Sequence, residues 1–396
     1  MKRSIKIAVA AAMALSATSA FATNGDHLIG LGAKARGMGG IGIGMSHGAE
    51  SALANPAMIS SVKGTEVSFG GTVFMPDVQT DMGMGAGSKA STADMSVIPE
   101  VSIASKVSDN LYIGVGMWGT AGMGVDYRNE ASNFKMVTNL QLMQFGVPIA
   151  YESNGLSVGI SPVVQYGALD INYDTTGTPF PSAGVKGAGV AQDLAFGYNI
   201  GAAYSTQGFT IGAAYKSAIE MDYYNVLSTA MAGFGVTGFS NKLEQPAEMG
   251  IGASYKMGEH SIAVDYKKIK WSDAKGYKEF GWDDQNVYAI GYAYDAGNWT
   301  ARLGYNYGKS PIKNQGISDG GLDNVLNFLG FPATVESHYT VGCSYDLSKT
   351  ASFDLAYVYA PEVTDTLPYN FGGGMAGNLT TKHSQDSLSM QVNFNF

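Results

Sequence analysis

Residues 350–360, TASFDLAYVYA, decide the fold. Phe353, Leu355, Tyr357 and Tyr359 fall on one face of an extended chain, and Asp354, Ala356 and Val358 on the other. Successive side chains of a strand point to opposite faces, so this period of two reads as a strand and not as a helix. One face is large, apolar and aromatic; the other is small or polar. The pattern recurs in residues 299–308, WTARLGYNYG, where Trp299, Ala301, Leu303, Tyr305 and Tyr307 oppose Thr300, Arg302, Gly304 and Asn306. It recurs again at the end of the chain, where Leu388, Met390, Val392, Phe394 and Phe396 oppose Ser389, Gln391, Asn393 and Asn395. An aromatic face suits lipid and a small or polar face suits a lumen, which predicts a transmembrane antiparallel β-barrel.

The rest of the chain agrees. From Glu66 onward the sequence divides into alternating segments of roughly 9–13 residues. Short polar turns fall at 108–110, 153–155, 206–208, 257–259, 296–298 and 347–349. Long connections fall near 78–97, 123–139, 174–192, 225–243, 272–285, 308–335 and 361–385. Tight turns on one side and long loops on the other count out to about 14 strands with both ends in the periplasm. A soluble β-sandwich also alternates, but it does not gather tyrosine, tryptophan and phenylalanine on one face or end on Phe396. That terminal phenylalanine, on an alternating strand, matches the signal read by the outer-membrane assembly machinery.

Composition fits an exported wall protein. Residues 1–22 have a basic start (Lys2, Arg3), a short apolar run and an Ala20-Phe21-Ala22 end, which predicts a cleaved signal peptide and export from a Gram-negative cell. The apolar run is too short to anchor the chain as a spanning helix. Formal charge is −9, and more acidic without the leader, which argues against nucleic acid as a partner. The single cysteine, Cys343, excludes a disulfide framework and reads as a small residue within a strand.

Residues 28–61, LIGLGAKARGMGGIGIGMSHGAESALANPAMISS, follow neither period. Seven glycines between Gly30 and Gly44 suit neither helix nor ladder, and the run closes on Asn55-Pro56-Ala57. The domain reading is therefore a signal peptide at 1–22, an N-terminal plug at 23–64 and the barrel at 65–396. Gly37 to Gly42 fits the form G-x-G-x-x-G, but no strand precedes it and no βαβ unit holds it, so a dinucleotide cofactor is not expected. The five histidines lack metal spacing, and no nucleophile elbow is present. Ser337-His338 would alternate faces on a strand, so a lipid-edge hydrolase is disfavoured. No cofactor, metal or catalytic residue is expected, and the chain does not read as an enzyme.

By parity Lys216, Glu248, Lys256, Asp265, Arg302, Asp193 and Asp354 face the lumen. They can pair with one another, or Lys216 or Arg302 can receive an anionic headgroup; the sequence leaves both open.

At this point the residues resemble a family. GLGAKARGMGG, GAESALANPA, QPAEMGIGASYK, KIKWSD, NWTARLGYNYGKSPI and the terminal Phe strand are similar to the FadL/TodX (OmpP1) outer-membrane transporters of long-chain fatty acids and hydrophobic compounds. The resemblance implies a monomeric barrel of fourteen strands plugged by an N-terminal hatch, with Gly37, Gly39, Gly40, Asn55, Pro56 and Ala57 in that gate. It implies capture of hydrophobic small molecules such as fatty acids and hydrocarbons, or of detergent-like amphiphiles and outer-membrane lipid. A pocket beside the hatch and lateral exit through the wall would follow. The kink for that exit is placed in the third strand at Gly114, Gly116 and Gly119, although these glycines could equally relieve crowding against the plug. The loop GLDNVLNFLGFP presents Leu322, Val325, Leu326, Phe328, Leu329 and Phe331 at i, i+3, i+4 spacing, either as a receiving surface or as a cap over the barrel. Only Arg302 matches a family strand position among the basic residues, so "hydrophobic compound" is the firmer substrate class. The competing reading is a plugged structural barrel or surface adhesin without transport.

Overall fold

A computed structural model describes residues 24–180, 182–318 and 320–396; the expected signal peptide lies outside them. The alternating segments form β1 (Thr65–Asp81), β2 (Ser96–Lys106), β3 (Leu111–Asp126), β4 (Val137–Gly146, continued as Ile149–Ser153), β5 (Leu156–Asp174), β6 (Ala191–Thr206) and β7 (Phe209–Lys216). The second half comprises β8 (Glu248–Met257), β9 (His260–Ile269), β10 (Gln285–Asp295), β11 (Trp299–Gly308), β12 (Ser337–Asp346), β13 (Ala351–Asn370) and β14 (Ala376–Asn395). Each strand pairs antiparallel with the next, and β1 pairs with β14 from Glu66↔Asn395 to Asp81↔Thr380, so the sheet is a closed fourteen-stranded barrel. Closure pairs the first strand with the last, the condition for a strand-built span of a bilayer.

The wall has the two faces that the alternation demands. Leu303, Tyr339, Val341, Tyr357, Tyr359 and Phe394 are exposed on the outside, while Asn306, Thr340, Asp354, Gln391 and Asn393 are buried inside. The terminal residue seals the seam: the Phe396 N–H donates to Thr65 O at 2.8 Å, and the Thr65 N–H donates to Phe396 O at 3.0 Å. Cys343 lies on the outward face.

One expected loop is mostly strand. Residues 361–370 and 376–385 continue β13 and β14, which reach 20 residues each and leave only 371–375 as a turn. A membrane strand needs about 9–11 residues, so this hairpin projects well above the bilayer. The register shift between Ala360 and Val363, at Pro361, marks a bulge part-way along it.

The outer loops fold over the mouth. The connection 217–247 carries a small hairpin, Ile219–Asp222 with Lys242–Gln245, and a helix, α2 (Val226–Gly233), the second after α1 (Ala33–Gly37) near the N-terminus. Outside the membrane, Asp284 staples the 270–284 loop, accepting from Lys270 Nζ and Ser272 Oγ, each at 2.7 Å. Burial pushes that carboxyl up, but the hydrogen bonds from Lys270, Ser272 and Lys268 outweigh it and hold it at about 2.

Candidate functional site

Residues 24–64 run through the barrel interior. The short helix α1 (Ala33–Gly37) packs against β11, β12, β13 and β14, and its flanks reach further strands. Gly32 N–H donates to Glu100 of β2 at 2.6 Å, Gly39 N–H to Thr340 of β12 at 2.9 Å, and Asn306 of β11 donates to Gly39 O at 2.9 Å. Asp265 of β9 accepts from three consecutive N–H groups, Gly42 and Ile43 at 2.8 Å and Gly44 at 3.0 Å. Contacts to opposite walls are possible only from within the lumen.

The glycines of this hatch serve close approach. A Cβ on Gly39 would lie 2.7 Å from Tyr305 O, and one on the facing Gly304 would lie 2.2 Å from Gly39 N. Gly40 has φ 84° and packs against Ile29 O, so both its conformation and its space require glycine. Asn55 caps the short 3₁₀-helix Pro56–Ser61, accepting from Ala57 N at 3.1 Å, with Pro56 at the first helical position. Its Nδ2 donates to Ile43 O at 3.0 Å, tying the cap to the glycine run.

The Asp265 contact is the strongest single tie between hatch and wall, because a buried carboxylate accepts three backbone bonds at once. Asp265→Asn offers one acceptor oxygen and turns an NH2 toward a donor. It is expected to weaken docking by about 3 kcal/mol, speeding exchange of the Gly42–Gly44 amides on the order of a hundredfold. Unaltered exchange at these amides would show that Asp265 does not hold the hatch.

A cavity with about 920 Å³ of empty space, including what it shares with open solvent, lies beside the hatch. Leu28, Ile43, Leu53, Ile219 and Val287 give it an apolar lining. Its charges are mutually paired: Lys216 Nζ lies 2.9 Å from Glu248 Oε1, and Lys267 Nζ lies 3.7 Å from Glu248 Oε2. His27 Nδ1 is 3.6 Å from the same carboxylate, and its Nε2 is 2.7 Å from Gln245 Oε1.

Next to this cavity the wall breaks. β2 pairs with β3 only from Lys106↔Tyr112 to Glu100↔Trp118. Beyond Trp118 β3 leaves β2, and its register against β4 shifts between Gly119 and Ala121. The hatch takes over the free edge: Leu28 N–H donates to Thr120 O at 3.3 Å, Gly122 N–H donates to Asp26 O at 3.1 Å, and His27 bridges Ala121. A second cavity, about 520 Å³ of empty space including open solvent, sits at the break. It is lined by lumen-side Leu28 and Ile98, by Val97 and Pro99, whose alternation places them on the outer face, and by the buried Met143. Leu28 lines both cavities.

Only part of the sequence reading gathers here. Gly119 lies at the break, where a Cβ would meet Ile98 Cγ2 at 2.4 Å. Gly114 and Gly116 do not: they stand in regular pairing opposite Ala104 and Ser102. They make room for Pro148 and for the Trp118 ring, which folds over Gly116. Lys216 lines the first cavity, whereas Arg302 is absent from its lining and donates instead to Ser344 Oγ at 2.5 Å. Lys256 sits at the turn end of β8, 3.5 Å from Asp295. Lys267 was missed, although it shares the parity of Asp265 two residues before it. Asn199 shares the inward parity of Asp193 on the same strand, whereas His27 and Leu28 carry no periodic signal.

The loop residues are not an exposed receiving surface. Leu322–Val325 forms α3 and Leu326–Gly330 a wider helical turn, but Val325, Leu326, Phe328 and Leu329 are buried and Phe331 is half-buried. The loop dips into the mouth, where Phe328 O accepts from Thr381 Oγ1 at 3.0 Å and Gly330 O from Thr138 Oγ1 at 2.5 Å. Leu326 and Phe331 line a small crevice between loops. The apolar side chains turn inward because α2, the 270–284 loop and this loop bury one another.

The barrel resembles several solved structures. The toluene transporter TodX of Pseudomonas putida is 19% identical with a TM-score of 0.69, covering 93% of this chain and 99% of that one. A FadL homologue of Pseudomonas aeruginosa is 16% identical (TM-score 0.70, 94% and 100% covered), and the toluene transporter TbuX of Ralstonia pickettii is 17% identical (TM-score 0.66, 93% and 99% covered). At these identities the likeness establishes the fold. A curated relative, an uncharacterized protein of the phosphoenolpyruvate carboxykinase gene 5′ region in Chlorobium limicola, is 43% identical over 76 residues, spanning 19% of this chain and 37% of that protein. The family model described as "Outer membrane protein transport protein (OMPP1/FadL/TodX)" matches residues 7–396, and the chain belongs to that family of outer-membrane transporters.

Proposed function

We propose that this protein, acting as a monomer, admits long-chain fatty acids or other hydrophobic compounds passively through the hatch-side cavity and releases them sideways through the break beside β3. The family consists of transport channels and not of enzymes. The observation that supports the reading is that a lumen cavity beside the hatch and a second cavity at the break in the wall share Leu28 in their linings. An apolar molecule gains nothing from a water-filled pore, so a greasy route from lumen to lipid suits it. Toluene is the cargo named for two of the structural neighbours, which makes a monoaromatic hydrocarbon a reasonable first cargo.

In this scheme ligand enters between the outer loops, past Leu326 and Phe331, and reaches the cavity at Lys216. Movement of the hatch around Gly37, Gly39, Gly40 and Asn55-Pro56-Ala57 opens the way to Gly119. Its three N–H bonds to Asp265 would have to loosen or pivot. The exposed terminal Phe396 side chain suits recognition by the outer-membrane assembly machinery.

The test is binding of oleate, a long alkane and toluene to the purified barrel, followed by tryptophan quenching. Saturable quenching by at least one of them, with a dissociation constant on the order of micromolar, is expected. Failure of all three would overturn transport and leave a plugged structural barrel or adhesin. Free passage of small sugars in liposome swelling would instead identify an open porin.

A further inference from the structure

We propose that the hatch-side cavity prefers an uncharged amphiphile, a hydrophobic body ending in a hydroxyl or carbonyl group, over both a carboxylate and a bare hydrocarbon. The inference rests on the transport reading and narrows its substrate class.

Two observations carry it. The cavity offers no spare charge. Its lining sets two lysines, Lys216 and Lys267, against two carboxylates, Glu248 and Asp265, so the charges cancel. The lysines lie 2.9 and 3.7 Å from Glu248, and Asp265 also accepts from the hatch N–H groups. An ionised headgroup at Lys216 would lie beside Glu248 and meet a like charge in a poorly hydrated space. The cavity does offer unused hydrogen bonds. Asn199 is 3% exposed and Asn306 1% exposed, both line the cavity, and neither Asn199 Nδ2 nor Asn306 Oδ1 has a partner. Gln144 Oε1, on the same lining, is a third. The bonds from Asn306 Nδ2 to Gly39 O and from Gln144 Nε2 to Gln165 fix which atoms stay open.

Buried polar atoms are normally satisfied, so these mark where water or a ligand's polar group belongs. Asn199 is the natural anchor. It is the register partner of Lys216, which is in turn the partner of Glu248, so the open donor lies beside the closed charge pair. A hydroxyl or carbonyl oxygen accepts from Asn199 Nδ2 while the apolar body lies along Leu28 and Ile43. A hydrocarbon leaves the donor unmet, and a carboxylate meets it at the expense of repulsion from Glu248.

The experiment compares 1-dodecanol, dodecanoate and dodecane at pH 8, each displacing the neutral probe Laurdan from the full-length purified barrel. Dodecanol should compete on the order of tenfold better than dodecanoate. In Asn199→Leu the dodecanol-to-dodecane affinity ratio should fall on the order of tenfold, and in Asn199→Ser it should stay within about threefold. Gln144→Met, read by the same ratio, serves if Asn199→Leu fails to assemble. Tighter binding of dodecanoate than dodecanol, or a ratio unmoved by the apolar variants, would overturn the preference while leaving transport intact. Absence of displacement by all three would overturn both.

Discussion

Removing residues 30–46 together with 322–331 is expected to raise single-channel conductance on the order of tenfold or more, because barrels of this size enclose an aqueous lumen once nothing fills it. Either deletion alone should give a much smaller increase. The hatch crosses the interior, bound to β2, β9, β11 and β12, and the α3 loop dips into the outer mouth onto Thr138 and Thr381. Two seals in series add their resistances, so the remaining one dominates when the other is lost. The wall should survive both deletions, since its hydrogen bonds close from β1 to β14 without help from either segment. Planar-bilayer recording gives the answer. A double deletion that stays closed would mean that neither segment plugs the lumen. Full opening by the hatch deletion alone would mean that the α3 loop is no seal.

The wall was legible because a lipid-facing strand must alternate, and residues 350–360 do so without exception. The plug was legible as a violation of that period. Its glycines invite a reading as freedom of movement, but Gly39 against Gly304 and Gly37 against Gly342 show backbones pressed together. The route out was only half legible. Gly119 marks the break, whereas Gly114 and Gly116 accommodate Pro148 and Trp118, and no local pattern separates the two uses of glycine. What decides it is whether β2 still pairs opposite, a long-range fact. The same holds for Arg302, inward by parity like Lys216 but outside the cavity lining. Parity gives the face of a strand and not the height along the barrel or the side of the hatch. The α3 loop shows a third limit: spacing revealed an apolar helical face, but burial against α2 and the 270–284 loop depends on folds that the spacing does not encode.

If ligand leaves sideways through the wall, filling the break beside β3 should block its release. Ala121 is 4% exposed, lines the cavity at the break with Gly119 and Leu28, and meets the hatch through its backbone bridge to His27. A larger side chain at this position occupies the passage and leaves that backbone bridge available. The lumen-side cavity is lined by Thr120 but not by Ala121, so ligand capture there should persist. The most direct measurement is therefore uptake of a radiolabelled ligand, of whichever class quenches the native protein, by cells producing Ala121→Trp, with heat-modifiable gel migration confirming the barrel. The account predicts that uptake falls on the order of tenfold or more while the dissociation constant from quenching changes less than about threefold. Native uptake by a correctly assembled Ala121→Trp barrel would contradict it, because the ligand would then be leaving by another route.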